Sequence, residues 1–308
     1  MTAATPTTDQ AATSRWLTIQ TPHVAALTLW VLSLFLFWKP LINLANLSFY
    51  DENSSHILLI PVVSAFLAYL QRKRIFHSPR YCPSLGVPVL LAAVVLRYGL
   101  EGPLGALSGK DRLAILTALL VVGWCAIFLL CYGPSSFKTA LFPLFYLFLM
   151  VPLPVVVSEH LIYMLQKSSA DVCYGLFRFL GVPVLRHGFV FSLPGVNIEV
   201  ARQCSGIHSA LSLLIVGLLA AQFVLHGAWR KLCFALCILP IAIFKNAVRI
   251  VTIAWIGIRV NPAVFQGPLH RQGGLPFSLV ALALMIALLW LLRRPFDRPP
   301  VQSRPNLG

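Results

Sequence analysis

Charge is scarce in this chain, and negative charge scarcer still: charged residues make up 11% of the 308, with 9 acids against 24 Lys and Arg. With 58% apolar residues and a mean hydropathy of +0.81, the chain cannot be an ordinary soluble domain, which needs far more polar side chains to cover its surface. The cysteines stand singly at 82, 125, 131, 173, 204, 233 and 237, with no Cys-x-x-Cys and no histidine pair at metal spacing. Neither a zinc centre nor a disulfide framework is indicated, and no cofactor is expected. Cys233 and Cys237 share a helix face, where two small apolar side chains serve packing. No internal repeat is visible, which removes support for the inverted-repeat plan of many transporters. Met1 to Arg15 lack the charged-then-apolar order of a cleavable signal peptide, so the first hydrophobic segment is expected to stay in the membrane.

What the chain has in abundance is long apolar runs. A bilayer core takes about 20 apolar residues per helix, and about eight runs qualify: His23 to Phe37, His56 to Leu70, Leu85 to Leu100, Leu113 to Cys131, Phe137 to Val151, Ser205 to Leu225, Leu232 to Ile258 and Phe277 to Leu292. The expected fold is therefore an all-α polytopic membrane protein. The formal charge of +15 would suggest nucleic acid in a soluble chain. Here Lys and Arg gather at the ends of apolar runs, where they orient helices and meet anionic head groups.

The basic clusters Arg72-Lys73-Arg74 with Arg80, Arg230-Lys231, and Arg293-Arg294 with Arg298 are expected on the cytoplasmic side. Eight crossings from a cytoplasmic N-terminus satisfy all three and leave both termini inside. The resulting organisation is a tail over 1–22, a single transmembrane domain over 23–292 and a basic tail over 293–308. Two segments of that domain, 152–203 and the loop 259–274, fall on the outer face.

The first outer segment has its own pattern. Leu161, Leu165, Val172, Leu176 and Phe179 recur at helical spacing opposite Glu159, Gln166, Lys167, Ser169 and Asp171, which predicts a helix lying in the interface. Gly188 to Ser192, the turn Leu193-Pro194-Gly195, and the alternation of Val196, Ile198 and Val200 with Asn197 and Glu199 predict a short β-hairpin. That hairpin leads directly into Cys204.

Three residues then fall at one expected membrane surface. Cys204 opens an inward-running helix, where the backbone dipole and a nearby cation favour its thiolate. Ser205 and Gly206 are small, leaving the sulfur approachable and backbone N–H groups available beside it. Arg249 lies in the apolar sequence Val248-Arg249-Ile250-Val251, where a guanidinium deep in lipid costs at least ~2.5 kcal/mol and needs a partner or water. It stands about 17 residues into its span, roughly 26 Å from the inner end. Asn246, one turn earlier, is placed to orient Arg249 or a substrate carbonyl, and Lys245 is expected to snorkel to the interface. His270, in the turn-rich loop Gly267 to Gly274, is a proton carrier near neutral pH. His208, one turn after Cys204, is a second one, and the residues alone do not choose between them.

In this order the residues resemble the exosortase/archaeosortase family of membrane cysteine transpeptidases. The block Cys204-Ser205-Gly206-Ile207 is similar to the family's Glu-Ala-Cys-Ser-Gly-Leu/Ile-Arg, with Arg202-Gln203 in place of Glu-Ala and His208 in place of the arginine. Pro240, Ala242, Asn246, Arg249 and Ile250 match a Pro-x-Ala-x-x-x-Asn-x-x-Arg-Ile block, and His270 the downstream loop histidine. Weaker echoes are Ser55-His56 with Ile60-Pro61, Pro152-Leu153-Pro154, and Leu165-Gln166.

The resemblance implies Cys204, Arg249 and His270 as catalytic residues, and a bacterial inner membrane with the active site on its periplasmic face. It also implies a substrate class: exported proteins ending in a short Pro-Glu-Pro-type motif, a membrane helix and a basic tail. Cleavage would pass through a thioester acyl-enzyme, linked to protein sorting and exopolysaccharide-associated export. Two other classes fit the hydropathy: a transporter or flippase binding an anion at Arg249, and a non-catalytic component of an export system. The first lacks intramembrane acids, because Asp51, Glu52, Glu101, Asp111, Glu159, Asp171 and Glu199 all stand in loops or at boundaries.

Overall fold

The computed structural model describes residues 8–77, 80–202, 205–259 and 274–293, and the chain divides into two compact units, Met1–Val155 and Val156–Gly308. In the first unit α1 (Thr8–Leu36) and α2 (Trp38–Tyr50) meet at a 75° bend beside Phe37. Residues 38–50 fall between the first two expected spans, yet they form a helix, and Pro40 is tolerated because it stands in the first turn. A short 3-10 turn, Glu52–Ser54, leads to α3 (Leu59–Leu70), α4 (Arg72–Ile75), α5 (Pro83–Gly99) and α6 (Glu101–Gly105). The long α7 (Gly109–Thr139) and α8 (Leu141–Tyr146) complete the unit, with a 3-10 turn over Leu147–Met150.

Helix α7 is the spine of this unit, and its sequence explains both its start and its kink. Ser108 caps it by accepting the Asp111 N–H at 3.1 Å while donating its hydroxyl to the Asp111 carboxylate at 2.7 Å. Near the far end Pro134 has no N–H to give the Leu130 carbonyl, and that carbonyl instead accepts the Cys82 N–H at 2.9 Å. Gly133, at φ +78°, breaks the helix there, and a Cβ on it would stand 2.5 Å from the Arg80 carbonyl oxygen. The strand of chain leading into α5 is thereby tied to the kink.

The second unit contains α9 (Val155–Phe179), β1 (Leu185–His187), β2 (Val190–Leu193), β3 (Val196–Glu199), α10 (Ile207–Val224), α11 (Ala228–Arg259) and α12 (Gly274–Arg293). The expected hairpin is present as β2 and β3, paired antiparallel with Leu193 opposite Val196 across Pro194-Gly195. The sequence reading missed β1, which pairs with β2 to make a three-stranded sheet in the order β1-β2-β3.

Two cores hold this unit. One joins α9, β2 and the later part of α11 through Ala170, Cys173, Phe177, Phe191, Leu193, Ala247, Val251 and Ala254. The other joins α10, the early part of α11 and α12 through Leu213, Ala221, Phe234, Ile238, Ala281, Met285 and Leu289. Helix α11 serves both cores because it is far longer than its neighbour. Its 32 residues rise about 48 Å against about 27 Å for the 18 of α10.

The expected count of eight spans is not reproduced. Among the described residues five helices are long and apolar enough to cross a membrane, over 52–70, 109–139, 207–224, 228–259 and 276–293; the number rises to seven if the bent pairs 21–36 with 38–50 and 141–150 with 155–179 each count once. The third expected span is α5, an apolar helix of 17 residues that falls short by length. The polar and apolar faces expected of α9 are also corrected. The residues it buries are Leu165, Gln166, Ser169, Ala170, Cys173 and Phe177, whereas Phe179 is 87% exposed.

Candidate functional site

The site is built where the sheet delivers the chain to α10. After β3 the Val200 N–H donates to the Phe189 carbonyl at 2.9 Å, and the Val200 carbonyl accepts Gln166 Nε2 from α9 at 2.5 Å. An ion pair between Arg202 and Glu159 ties the same segment to α9 a second time. The Ser205 N–H turns back to the Arg202 carbonyl at 3.1 Å, and Gly206 then stands at the N-cap of α10 with φ +79°.

Gly206 is required here for two reasons. An L side chain rarely adopts that left-handed conformation. A Cβ on residue 206 would also stand 3.1 Å from Asn246 Cγ and 3.2 Å from Asn246 Oδ1. Helix geometry accounts for the meeting: α10 and α11 are joined by only three residues, so the position 18 residues along α11 lies level with the start of α10, and that position is Asn246. Among the described residues no side chain caps α10, and the N–H groups of its first turn are without intrahelical acceptors.

Asn246 is 1% exposed and donates Nδ2 to the Ser169 hydroxyl of α9 at 3.1 Å. Ser205 is equally buried, and its Oγ has no hydrogen-bond partner among the described residues. Arg249 follows one turn after Asn246, half-buried. Lys245, expected to snorkel, is instead 3% exposed, enclosed by protein with the like charge of Arg249 acting on it from one turn away. His208 is exposed on the first turn of α10, and its carbonyl accepts the Ser212 hydroxyl at 2.9 Å.

Of the expected site residues, then, Ser205, Gly206 and Asn246 come together, with Arg249 one turn along the same helix. His208 stands at the same helix end but faces outward. Cys204 and His270 lie outside the described residues. Gln166 and Ser169 were missed as members of the site because they were assigned to the solvent face of α9. The pair Leu165-Gln166 among the weaker sequence echoes was the available signal. No three His, Cys, Asp or Glu among the described residues are grouped to hold a metal ion.

Comparison with known proteins adds one finding. Residues 44–287, most of the chain, match the family model described as transmembrane exosortase, Exosortase_EpsH. No curated protein and no solved structure matches the chain.

Proposed function

The chain belongs to the transmembrane exosortase family, membrane proteins with peptidase or transpeptidase activity of the cysteine type, and from that premise we propose that Cys204 is its nucleophile, with Arg249 and His270 as catalytic partners. The Cys204 thiolate attacks the carbonyl carbon of a peptide bond. The resulting tetrahedral oxyanion is held by Arg249 and by the uncapped N–H groups that open α10. Collapse of this intermediate breaks the C–N bond; the imidazolium of His270 gives its proton to the departing amine, and the acyl group stays on sulfur as a thioester. Water then releases a cleaved protein, or an amine or other acceptor takes the acyl group in a transpeptidation. His208, in the first turn of α10, is the alternative proton carrier.

The observation that carries this reading is the approach of Gly206 to Asn246. Residue 204 is two peptide units from Gly206, and each unit spans about 3.8 Å, so covalent geometry keeps its Cα within about 8 Å of the Gly206 Cα. Arg249 is one turn from Asn246 along α11. Depth supports the same reading: Arg249 is 21 residues into α11, about 32 Å from the end that bears Arg230 and Lys231, which matches a hydrocarbon core of about 30 Å. A site at that level suits a scissile bond just outside a membrane helix, on the periplasmic face of a bacterial inner membrane. The substrates on this reading are exported proteins carrying a C-terminal sorting signal of the Pro-Glu-Pro type.

The test pairs processing with thiol chemistry. Cys204→Ala, Arg249→Ala, His270→Ala and His208→Ala are each expressed beside a sorting-signal protein, and wild-type Cys204 is treated with a membrane-impermeant alkylating agent at neutral pH. The expected result is loss of processing in the first three variants and labelling of Cys204 from outside. Normal processing by Cys204→Ala at normal enzyme level would end the nucleophile assignment. Loss in His208→Ala with retention in His270→Ala would move the proton carrier.

A further inference from the structure

The first unit encloses a cleft of about 750 Å³ that the proposed chemistry does not use. Its walls come from α1, α3, α7 and α8, with Leu34, Ala65, Ala68, Trp124, Phe128 and Leu144 on its surface. The alanines of α3 leave the space that larger side chains would fill. This size lies within the range of ligand pockets, roughly 300–1,000 Å³.

The cleft is not uniform along its length. Arg72, Lys73 and His23 line one end, and His23 is placed there by its ring contact with Phe76 at 5.1 Å. Leu34 on α1 and Pro61 on α3 line it further along, each 11 residues from the basic rim. Eleven helical residues rise about 16–17 Å, close to the depth of one leaflet in a ~30 Å hydrocarbon core. Between rim and depth the indole Nε1 of Trp30, another wall residue, is buried without an acceptor among the described residues. At the rim the Arg72 guanidinium stacks on Tyr69 at 4.0 Å and donates to the Tyr69 carbonyl at 3.1 Å. Among the described residues no carboxylate pairs with Arg72 or Lys73.

We propose that this cleft is a binding site for an anionic phospholipid, with an acyl chain in the apolar depth and the phosphate on Arg72 and Lys73. Charge decides the occupant. The basic tail of a sorting signal would be repelled by the same rim, whereas a phosphate neutralises it. The Trp30 N–H is placed for an ester carbonyl between head and chain. By the tendency of basic clusters to stay inside, the lipid belongs to the cytoplasmic leaflet. This site is independent of the assignment of Cys204.

The full chain, purified in detergent, is titrated with dioleoyl phosphatidylglycerol and with dioleoyl phosphatidylcholine, and bound lipid is counted by native mass spectrometry. Wild type should retain phosphatidylglycerol in preference. Replacing Arg72 and Lys73 together by Gln should weaken that lipid about thirtyfold, bringing it near phosphatidylcholine. Arg74→Gln, an exposed change beside the cleft rather than in it, should leave the affinity within about twofold of wild type. Equal retention of the two lipids by wild type would overturn the proposal, as would an equal loss in Arg74→Gln, which would mean surface potential alone. Displacement of the lipid by millimolar inorganic phosphate would also overturn it, because the site would then be one for a free anion.

Discussion

Replacing Gly206 by alanine isolates the contact on which the candidate site depends. The residue sits at φ +79°, and a Cβ there meets the buried Asn246 side chain at 3.1–3.2 Å. The conformation alone costs an L residue roughly 1–2 kcal/mol. The contact is tighter than ordinary van der Waals distance, so Asn246 must also move, straining its bond to Ser169. A total of about 2–3 kcal/mol is therefore expected, of which only the first part belongs to the backbone. Gly206→Asn separates the two causes, since asparagine accepts the left-handed conformation more readily but brings a larger side chain. Close approach predicts that Asn is at least as damaging as Ala; backbone strain alone predicts that it is milder. The assays are thermal denaturation of the purified protein and processing of a co-expressed sorting-signal protein. Wild-type stability in Gly206→Ala, or clear rescue by Gly206→Asn, would refute the packing of residue 206 on Asn246.

Three further outcomes follow from single side chains. Gln166→Leu leaves the Val200 carbonyl without its donor and should cost about 1–3 kcal/mol, with processing falling as the segment before α10 loosens; unchanged thermal stability would show that the bond carries nothing. Lys245→Met removes an enclosed ammonium that stands one turn from Arg249 and should leave stability unchanged or raise it by on the order of 1–3 kcal/mol, whereas a loss would reveal an acceptor for the ammonium. Asp51, between α2 and α3, is an acid-sensitive point. Burial alone would raise its carboxyl pKa, but hydrogen bonds from Lys110, Ser54 and the Asn53 N–H, with the Lys110 charge, hold it below its ordinary value near 3.8. Because the folded state binds this proton less readily, the contribution is complete above the unfolded pKa and is lost as pH falls through the folded one. Asp51→Asn should therefore flatten the decline of stability below about pH 4, and an unaltered acid limb would dismiss the Asp51–Lys110 pair as a stabilising contact.

How far the sequence revealed this molecule depends on whether a feature is set by composition or by what covers it. Apolar runs mark helices because lipid and protein interior both demand satisfied backbones; seven of the eight runs coincide with a helix or part of one, while the fifth, Phe137 to Val151, is divided between the end of α7, α8 and a 3-10 turn. Whether such a helix crosses singly, bends or stops short depends on details that hydropathy averages away. The sharp break between α1 and α2 at Phe37 and the proline-freed carbonyl of Leu130 are both of that kind. The β2–β3 hairpin was legible because Pro194-Gly195 announces its turn. Strand β1 was not, since Leu185-Arg186-His187 is three residues long and gains its structure from β2.

The same limit explains the faces of α9 and the burial of Lys245. An amphipathic pattern identifies a buried face only if the partner is apolar, and here part of the partner is a polar site. Gln166 and Ser169 point inward because a backbone carbonyl and an asparagine wait for them, so the helix buries what a periodicity argument would turn to water. Smallness at Gly206 was read from sequence as room for a sulfur. Its conformation gives a different reason, the need to bring the start of α10 onto Asn246 at φ +79°. Polar residues enclosed at the junction of α9, α10 and α11 have no packing role that apolar residues would not fill better. Their enclosure where Ser205 and Gly206 meet Asn246 accords with the proposal that chemistry is performed there.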